Sequence, residues 1–134
     1  MKISVNVPSY HRPDKITTLD YLPYVRIWVD GSEYDEYKRM HPKADIVRCA
    51  DGVQGNLCRV LNYILDEEFK RGMDVVLILD DDITYIERFE VSDITGYGYE
   101  RYKLSADEVM VMIEKYSIMA KDLGAKFWGI NINP

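Results

Sequence analysis

The apolar positions of this chain fall into short bursts separated by turn formers, and the spacing within each burst outlines an element. Ile3 to Val7 is a β-branched run stopped by Pro8 and followed by Ser9-Tyr10-His11-Arg12-Pro13, which reads as a strand and then a loop. A short helix is expected around Thr17 to Tyr21, and Val25 to Val29 makes a second strand ending at Asp30-Gly31. Ser32 stands where it would cap a polar helix, which must end before Pro42 because proline disfavours helical backbone in the residue before it. Ile46 to Cys49 supplies a third strand. From Asn56 onward Leu57, Val60, Leu61, Ile64, Leu65 and Phe69 recur at helical spacing, with Gly72 at the position of a helix C-cap. Val75 to Leu79 is a continuous apolar run between Asp74 and Asp80, the pattern of a central parallel strand buried on both faces.

The remainder is less regular. Val91 to Tyr102, which includes Gly96-Tyr97-Gly98-Tyr99, has no clear period and reads as a mobile loop. Ser105 and Glu108 then form a capping box that opens a helix with Val109, Met112, Ile113, Tyr116, Met119 and Leu123 as its apolar face and Gly124 as its stop. Lys126 to Ile130 is expected to resume as a strand, after which come Asn131-Ile132-Asn133-Pro134. Strands alternating with helices predict an α/β fold, a mostly parallel sheet flanked by helices on both faces. In such sheets ligands bind beyond the carboxyl ends of the strands. The polar loops Ser9 to Arg12, Asp30-Gly31, Asp51 to Asn56 and Asp80 to Asp82 all follow predicted strands, so they are expected at one edge.

Composition bounds the picture. The 134 residues, 47% of them hydrophobic, suit one core and hence a single domain over 1–134. A formal charge of -6 argues against broad capture of nucleic acid through its phosphates. Cys49 and Cys58 form neither a disulfide framework nor a zinc spacing, so reduced thiols and a cytoplasmic setting are the default expectation. MKISVNVPSY lacks the apolar stretch of a signal peptide, and Val75 to Leu79 falls far below the ~20 residues of a membrane span.

The sharpest chemical signal is Asp80-Asp81-Asp82. Three consecutive carboxylates repel one another, so a fold that keeps them relies on solvent or a cation to screen the repulsion. If strand geometry continues, Asp80 and Asp82 face one way and Asp81 another, and hard oxygen donors suit Mg²⁺ or Mn²⁺. A solvated acidic turn is the plain alternative. LILDDDIT also satisfies the D-x-D-x-T signature of haloacid-dehalogenase-like phosphatases, with Asp80 as nucleophile, Asp82 as acid and Thr84 as the third position. Those enzymes usually carry the motif on their opening strand and need a later acidic pair, and after Thr84 no such pair falls at an expected strand end.

Taken in order, VPSYHRP, WVDGS, GVQGNLCRVLN and LILDDD resemble the GT-A glycosyltransferases, a family with a Rossmann-like nucleotide-diphospho-sugar transferase fold. The likeness is strongest to phage and bacterial members with a DDD form of the DxD motif, and it runs from Ile3 to Glu87. It implies donor contacts from Pro8, Ser9 and Arg12 in the first loop, from Asp30 to the base, and from Gln54, Arg59 and Asn62 around the third loop and its helix. Arg59 and Asn62 stand three apart and share a helix face, whereas the family often pairs Arg and Asn directly. The resemblance further implies a ribose or metal contact from Asp80, a donor contact from Asp81 and metal ligation by Asp82. The expected donor is a nucleotide-diphosphate sugar, with a UDP-sugar the first choice, and the cofactor Mn²⁺ or Mg²⁺. Complete members are usually longer, so the resemblance implies either a chain truncated at the C-terminus, before the acceptor site and general base, or a minimal member; no catalytic residue is assigned. The acceptor is open, with DNA brought in by analogy with phage relatives alone. Two further readings stay beside it: a sugar nucleotidylyltransferase, although VPSYHRP lacks that family's glycine-rich loop, and a nucleotide-binding module without catalysis.

Each residue also has a plainer reading. Arg12 can pair with Asp14, Ser9 can cap a turn, Asp30-Gly31 can be a strand exit, and Arg59 with Asn62 can be a solvated face.

Overall fold

The computed structural model describes residues 1–91, 96 and 98–130, which divide into two compact units at Ile86 and Glu87. The first unit holds β1 (Ile3–Pro8), α1 (Thr17–Tyr21), β2 (Arg26–Val29), α2 (Tyr34–Met40), β3 (Asp45–Arg48), α3 (Leu57–Lys70) and β4 (Val75–Ile78). Its strands form a parallel sheet in the order β3-β2-β1-β4. The fold is therefore α/β, a four-stranded parallel sheet flanked by helices. Because the strands are parallel, the loops that follow β1, β2, β3 and β4 leave from the same edge.

Strand alternation sorts the sheet's side chains. Val5, Val7, Ile27 and Val29 are buried on one face. On the other, Trp28 packs in a cluster with Cys49, Val53, Val60 and Ile64, and Val47, Val76 and Ile78 lie against it. Asn6 lies on that same face, and its side-chain oxygen accepts the Trp28 indole N–H at 2.9 Å. This pairing satisfies a fully buried amide and fixes the indole over α3's apolar stripe.

The stripe differs from the expected one. Val60, Ile64 and Glu68 face inward, while Leu57 and Phe69 are exposed. A carboxylate holds a core position because Arg71 donates to both its oxygens, at 3.2 and 2.6 Å, and Arg26 comes within 3.3 Å from β2. Helix α3 starts on the Asn56 side chain, which accepts the Arg59 amide. It stops at Gly72, where φ is +90° and Met73 N–H returns to the Glu68 carbonyl in a Schellman closure. The N-terminus of α2 is also built differently: the N-cap position is Glu33, and Ser32 turns back onto Asp30.

Among the described residues Val75 to Leu79 does not supply a central strand. β4 lies at an edge of the described sheet and its four residues are only half-buried. Its backbone pairs with β1, and its apolar side chains Val76 and Ile78 lie against the Trp28 cluster.

The second unit contains an antiparallel hairpin, β5 (Glu87–Val91) and β6 (Tyr99–Lys103), followed by α4 (Ala106–Asp122). Val91 and Tyr99 to Tyr102, expected within a mobile loop, thus belong to the hairpin's strands; residues 92–95 and 97 lie outside the described residues. Its cross-strand contacts mix charge and ring, with Arg88 over Tyr102 and Arg101 over Phe89, so no apolar period marks it. The Ser105–Glu108 capping box opens α4, and a Schellman closure at Gly124 ends it. Val109, Ile113 and Ser117 are the buried positions, whereas Tyr116, Met119 and Leu123 are exposed. Residues 126–130 form no strand: with no ladder partner among the described residues they stay irregular, and Phe127 is 90% exposed. Residues 131–134 lie outside the description. No helix among the described residues is long and apolar enough to cross a membrane.

Candidate functional site

The loop after β1 and the acidic turn after β4 meet at the loop edge of the sheet. Leu79 continues the ladder one step beyond β4 by donating its N–H to the Asn6 carbonyl, after which the backbone turns through Asp81 and Asp82. Asp80 and Asp82 are exposed, and Asp81 is buried at 8% exposure. The three carboxylates therefore do different things.

Asp81 is spoken for internally. Its Oδ2 accepts the Ser9 hydroxyl at 3.0 Å, and Arg12 Nη1 stands 3.5 Å from Oδ1. Ser9 has a single hydroxyl proton and spends it on a carboxylate that can only accept, so the Tyr37 hydroxyl, 2.9 Å away, must donate to Ser9. Tyr37 in turn accepts the Arg12 backbone N–H at 3.1 Å. The result is a directed chain from Arg12 through Tyr37 and Ser9 to Asp81, joining the first loop, α2 and the acidic turn. Burial raises the pKa of the fully buried Tyr37, which keeps its hydroxyl protonated as a donor.

Arg12 and Ser9 together screen one of three like charges. The Asp80 and Asp82 side chains remain outward, their carboxylates with no protein partner among the described residues. Nor do the described residues bring three His, Cys, Asp or Glu side chains together as a ready-made metal cage.

A second bracket comes from α1. The Thr18 hydroxyl donates to the Asp80 carbonyl at 2.6 Å and accepts the Ile83 N–H at 2.9 Å, while the Thr18 N–H donates to the Asp81 carbonyl at 3.2 Å. Three residues further along both segments, Ile86 N–H donates to the Tyr21 hydroxyl at 3.2 Å. Sequence reasoning assigned no role to Thr18, Tyr21 or Tyr37, since nothing in their local sequence signals partners 25 to 65 positions away.

The remaining expected site residues are placed as follows. Pro8 ends β1 opposite Trp28, and Ser9 N–H donates to the Trp28 carbonyl at 3.0 Å. That same carbonyl accepts the Gln54 side-chain amide at 3.1 Å, so Gln54 ties the loop after β3 to the sheet. Asp30 accepts both the amide and the hydroxyl of Ser32, and these bonds lower its pKa. Arg59 spends Nη1 on the Gly52 carbonyl at 2.7 Å, which closes the loop before α3, and Asn62 is exposed one turn further on. The structure thus joins Ser9 and Arg12 to Asp81 and ties Gln54 to the Trp28 carbonyl that Ser9 also uses, whereas Asp30 and Arg59 are engaged within their own loops.

Tyr10 and His11 occupy the same edge. Tyr10 is 41% exposed with its ring 3.8 Å from that of His11, and a Cβ at Gly55 would come 3.9 Å from its hydroxyl. His11 has φ +56°, a left-handed conformation held by Glu33, whose Oε1 faces both the His11 N–H at 3.0 Å and its Nδ1 at 2.9 Å. An open hollow of about 570 Å³ lies beside this contact, lined by residues of the first loop and α2 that include Glu33 and Arg39. It contains none of the acidic triplet. The outward-facing charge of Asp80 and Asp82 lies apart from that hollow, at the turn after β4.

No family model, curated protein or solved structure matches this chain.

Proposed function

We propose that this chain binds a nucleoside-diphosphate sugar at the loop edge of its parallel sheet, with Asp80 and Asp82 holding Mn²⁺ or Mg²⁺, as the donor-binding part of a glycosyltransferase. The observation that carries the reading is the division of labour in the triplet: Asp81 is turned inward and screened by Arg12 and Ser9, leaving two outward carboxylates without protein partners. Two carboxylates match a divalent cation in charge. Mg²⁺ in particular is commonly bound by one or two carboxylates plus water and substrate phosphates, so a closed protein cage is not required.

When bound, such a cation would neutralise negative charge gathering on the diphosphate as the bond to the sugar breaks. The chain's own part is to hold the acidic turn still and to present the Arg12 guanidinium, 45% exposed at its side chain, to an anionic ligand. Gln54 and Arg59 shape the loop by bonding the Trp28 and Gly52 carbonyls, and the Arg59 guanidinium and the Gln54 amide oxygen keep further capacity to contact a donor. The base that would activate an acceptor is not assigned to any residue. A UDP-sugar remains the first donor to try.

Calorimetric titration of UDP, other nucleoside diphosphates and UDP-sugars, with and without Mn²⁺, tests this reading in the wild-type chain and Asp82→Ala. Binding should require the metal and be lost in the variant. Metal-independent binding that Asp82→Ala leaves intact would sink it. Hydrolysis of a phosphate monoester abolished by Asp80→Asn would replace it with the phosphatase reading.

A further inference from the structure

Residues 80–83 carry the two outward carboxylates but belong to no helix or strand, so something else must fix their geometry. One side chain reaches across the turn. Thr18, fully buried in α1, holds the carbonyl before the turn and the amide after it with a single hydroxyl, and its own N–H holds the carbonyl between them. Its hydroxyl is therefore used as both donor and acceptor, which neither valine nor alanine can reproduce. Helix α1 has only five residues, too short to persist alone, so its value to the fold lies in such contacts and in the buried Leu22 that follows it.

From this geometry we infer that Thr18 is a positioning residue for divalent-cation binding at Asp80 and Asp82. The inference rests on the metal site proposed above and assigns its preorganisation to a residue 62 positions away in sequence. Thr18 touches no ligand. Its hydroxyl sets the backbone path of the turn, and that path sets where the Asp80 and Asp82 carboxylates can converge. Groups that orient metal ligands from behind typically change affinity by roughly tenfold to a hundredfold when removed.

The test is Mn²⁺ binding, read from the loss of the free Mn²⁺ electron paramagnetic resonance signal, in the wild-type chain, Thr18→Val, Thr18→Ala and Thr18→Ser. Each is measured well below its own melting temperature. Amide exchange at Ile83 is followed in parallel. Thr18→Ser keeps the hydroxyl and should bind within about threefold of wild type, whereas the valine and alanine variants should bind at least about tenfold more weakly. Ile83 should exchange faster in those two and remain protected in serine. A folded valine or alanine variant that binds Mn²⁺ as wild type does would overturn the positioning role while leaving the metal site standing. Serine binding as weakly as valine would overturn it too, since the hydroxyl would then not be the operative group. Wild-type protein that fails to take up Mn²⁺, with or without a nucleoside diphosphate, would remove the metal reading itself.

Discussion

Replacing each aspartate of the triplet by alanine in turn should give three substitutions of the same chemistry with unequal costs. Asp81 is 8% exposed and accepts the Ser9 hydroxyl at 3.0 Å, a hydrogen bond to a charged group worth roughly 1.5–3 kcal/mol. Its partner Arg12 is 45% exposed at 3.5 Å, and solvent screening limits that pair to at most about 1 kcal/mol. Removing Asp81 also relieves repulsion from its two neighbours, which offsets part of the loss. The net expected destabilisation for Asp81→Ala is about 2–3 kcal/mol, or roughly 6–12 °C in Tm for a chain of this size. Asp80→Ala and Asp82→Ala remove exposed groups without protein partners and should stay within about 0.5 kcal/mol, with any change favouring stability as like charges separate. Urea unfolding followed by circular dichroism, in metal-free buffer, measures all three. Equal costs at the three positions, or a cost for Asp81→Ala below about 0.5 kcal/mol, would refute the assignment of Asp81 to the fold and of its neighbours to solvent.

Other consequences follow from buried and capping groups. Burial pushes the Glu68 pKa up, but hydrogen bonds from Arg71 and Ser4 with the charge of Arg26 outweigh it and leave the value below the ordinary 4.5. A carboxylate whose folded pKa is depressed contributes stability above its unfolded pKa and loses it as pH falls through the folded one, so acid unfolding should begin near pH 4.5 and steepen below it. Glu68→Gln should flatten that limb of a stability-against-pH curve. Burial raises the Cys49 thiol to about 11, so a thiol-reactive dye at neutral pH should label the exposed Cys58 quickly and Cys49 only on unfolding. Ser105→Ala removes the hydroxyl that accepts the Glu108 amide at the start of α4 and should cost about 1 kcal/mol, read as a loss of helical ellipticity on urea titration.

The elements were legible where local chemistry decides them. Pro8, Asp30-Gly31 and Gly72 end strands and a helix at the residues where they stand, and the Ser105–Glu108 box opens α4 as its spacing says. Parallel pairing could be argued from the alternation of bursts, and it is what carries the four polar loops to one edge. What could not be read depends on partners distant in sequence. Glu68 looks like a surface residue until Arg26 arrives from β2 and Arg71 folds back over it. Thr18 and Tyr37 carry no motif, and their roles exist only because the acidic turn and the first loop close on them. β4 carries the apolar run of a central strand yet stands at the described edge, because hydrophobicity reports what a strand packs against and not how many neighbours it pairs with. The hairpin was missed because its stabilising pairs are arginines over rings, which leave no alternation of apolar and polar residues.

The central claim, that the acidic turn holds a divalent cation for a nucleoside diphosphate, is most directly tested by paramagnetic line broadening in the amide spectrum as Mn²⁺ is added in the presence of UDP. The account predicts that Asp80, Asp81, Asp82 and Ile83 broaden first, with Ser9 to Arg12 close behind. Lys2 and Asp74, paired at the opposite end of the sheet, should keep sharp signals at the same Mn²⁺ concentration. Broadening centred on Glu33 and Glu36, or no localised broadening at all while UDP binds, would contradict it.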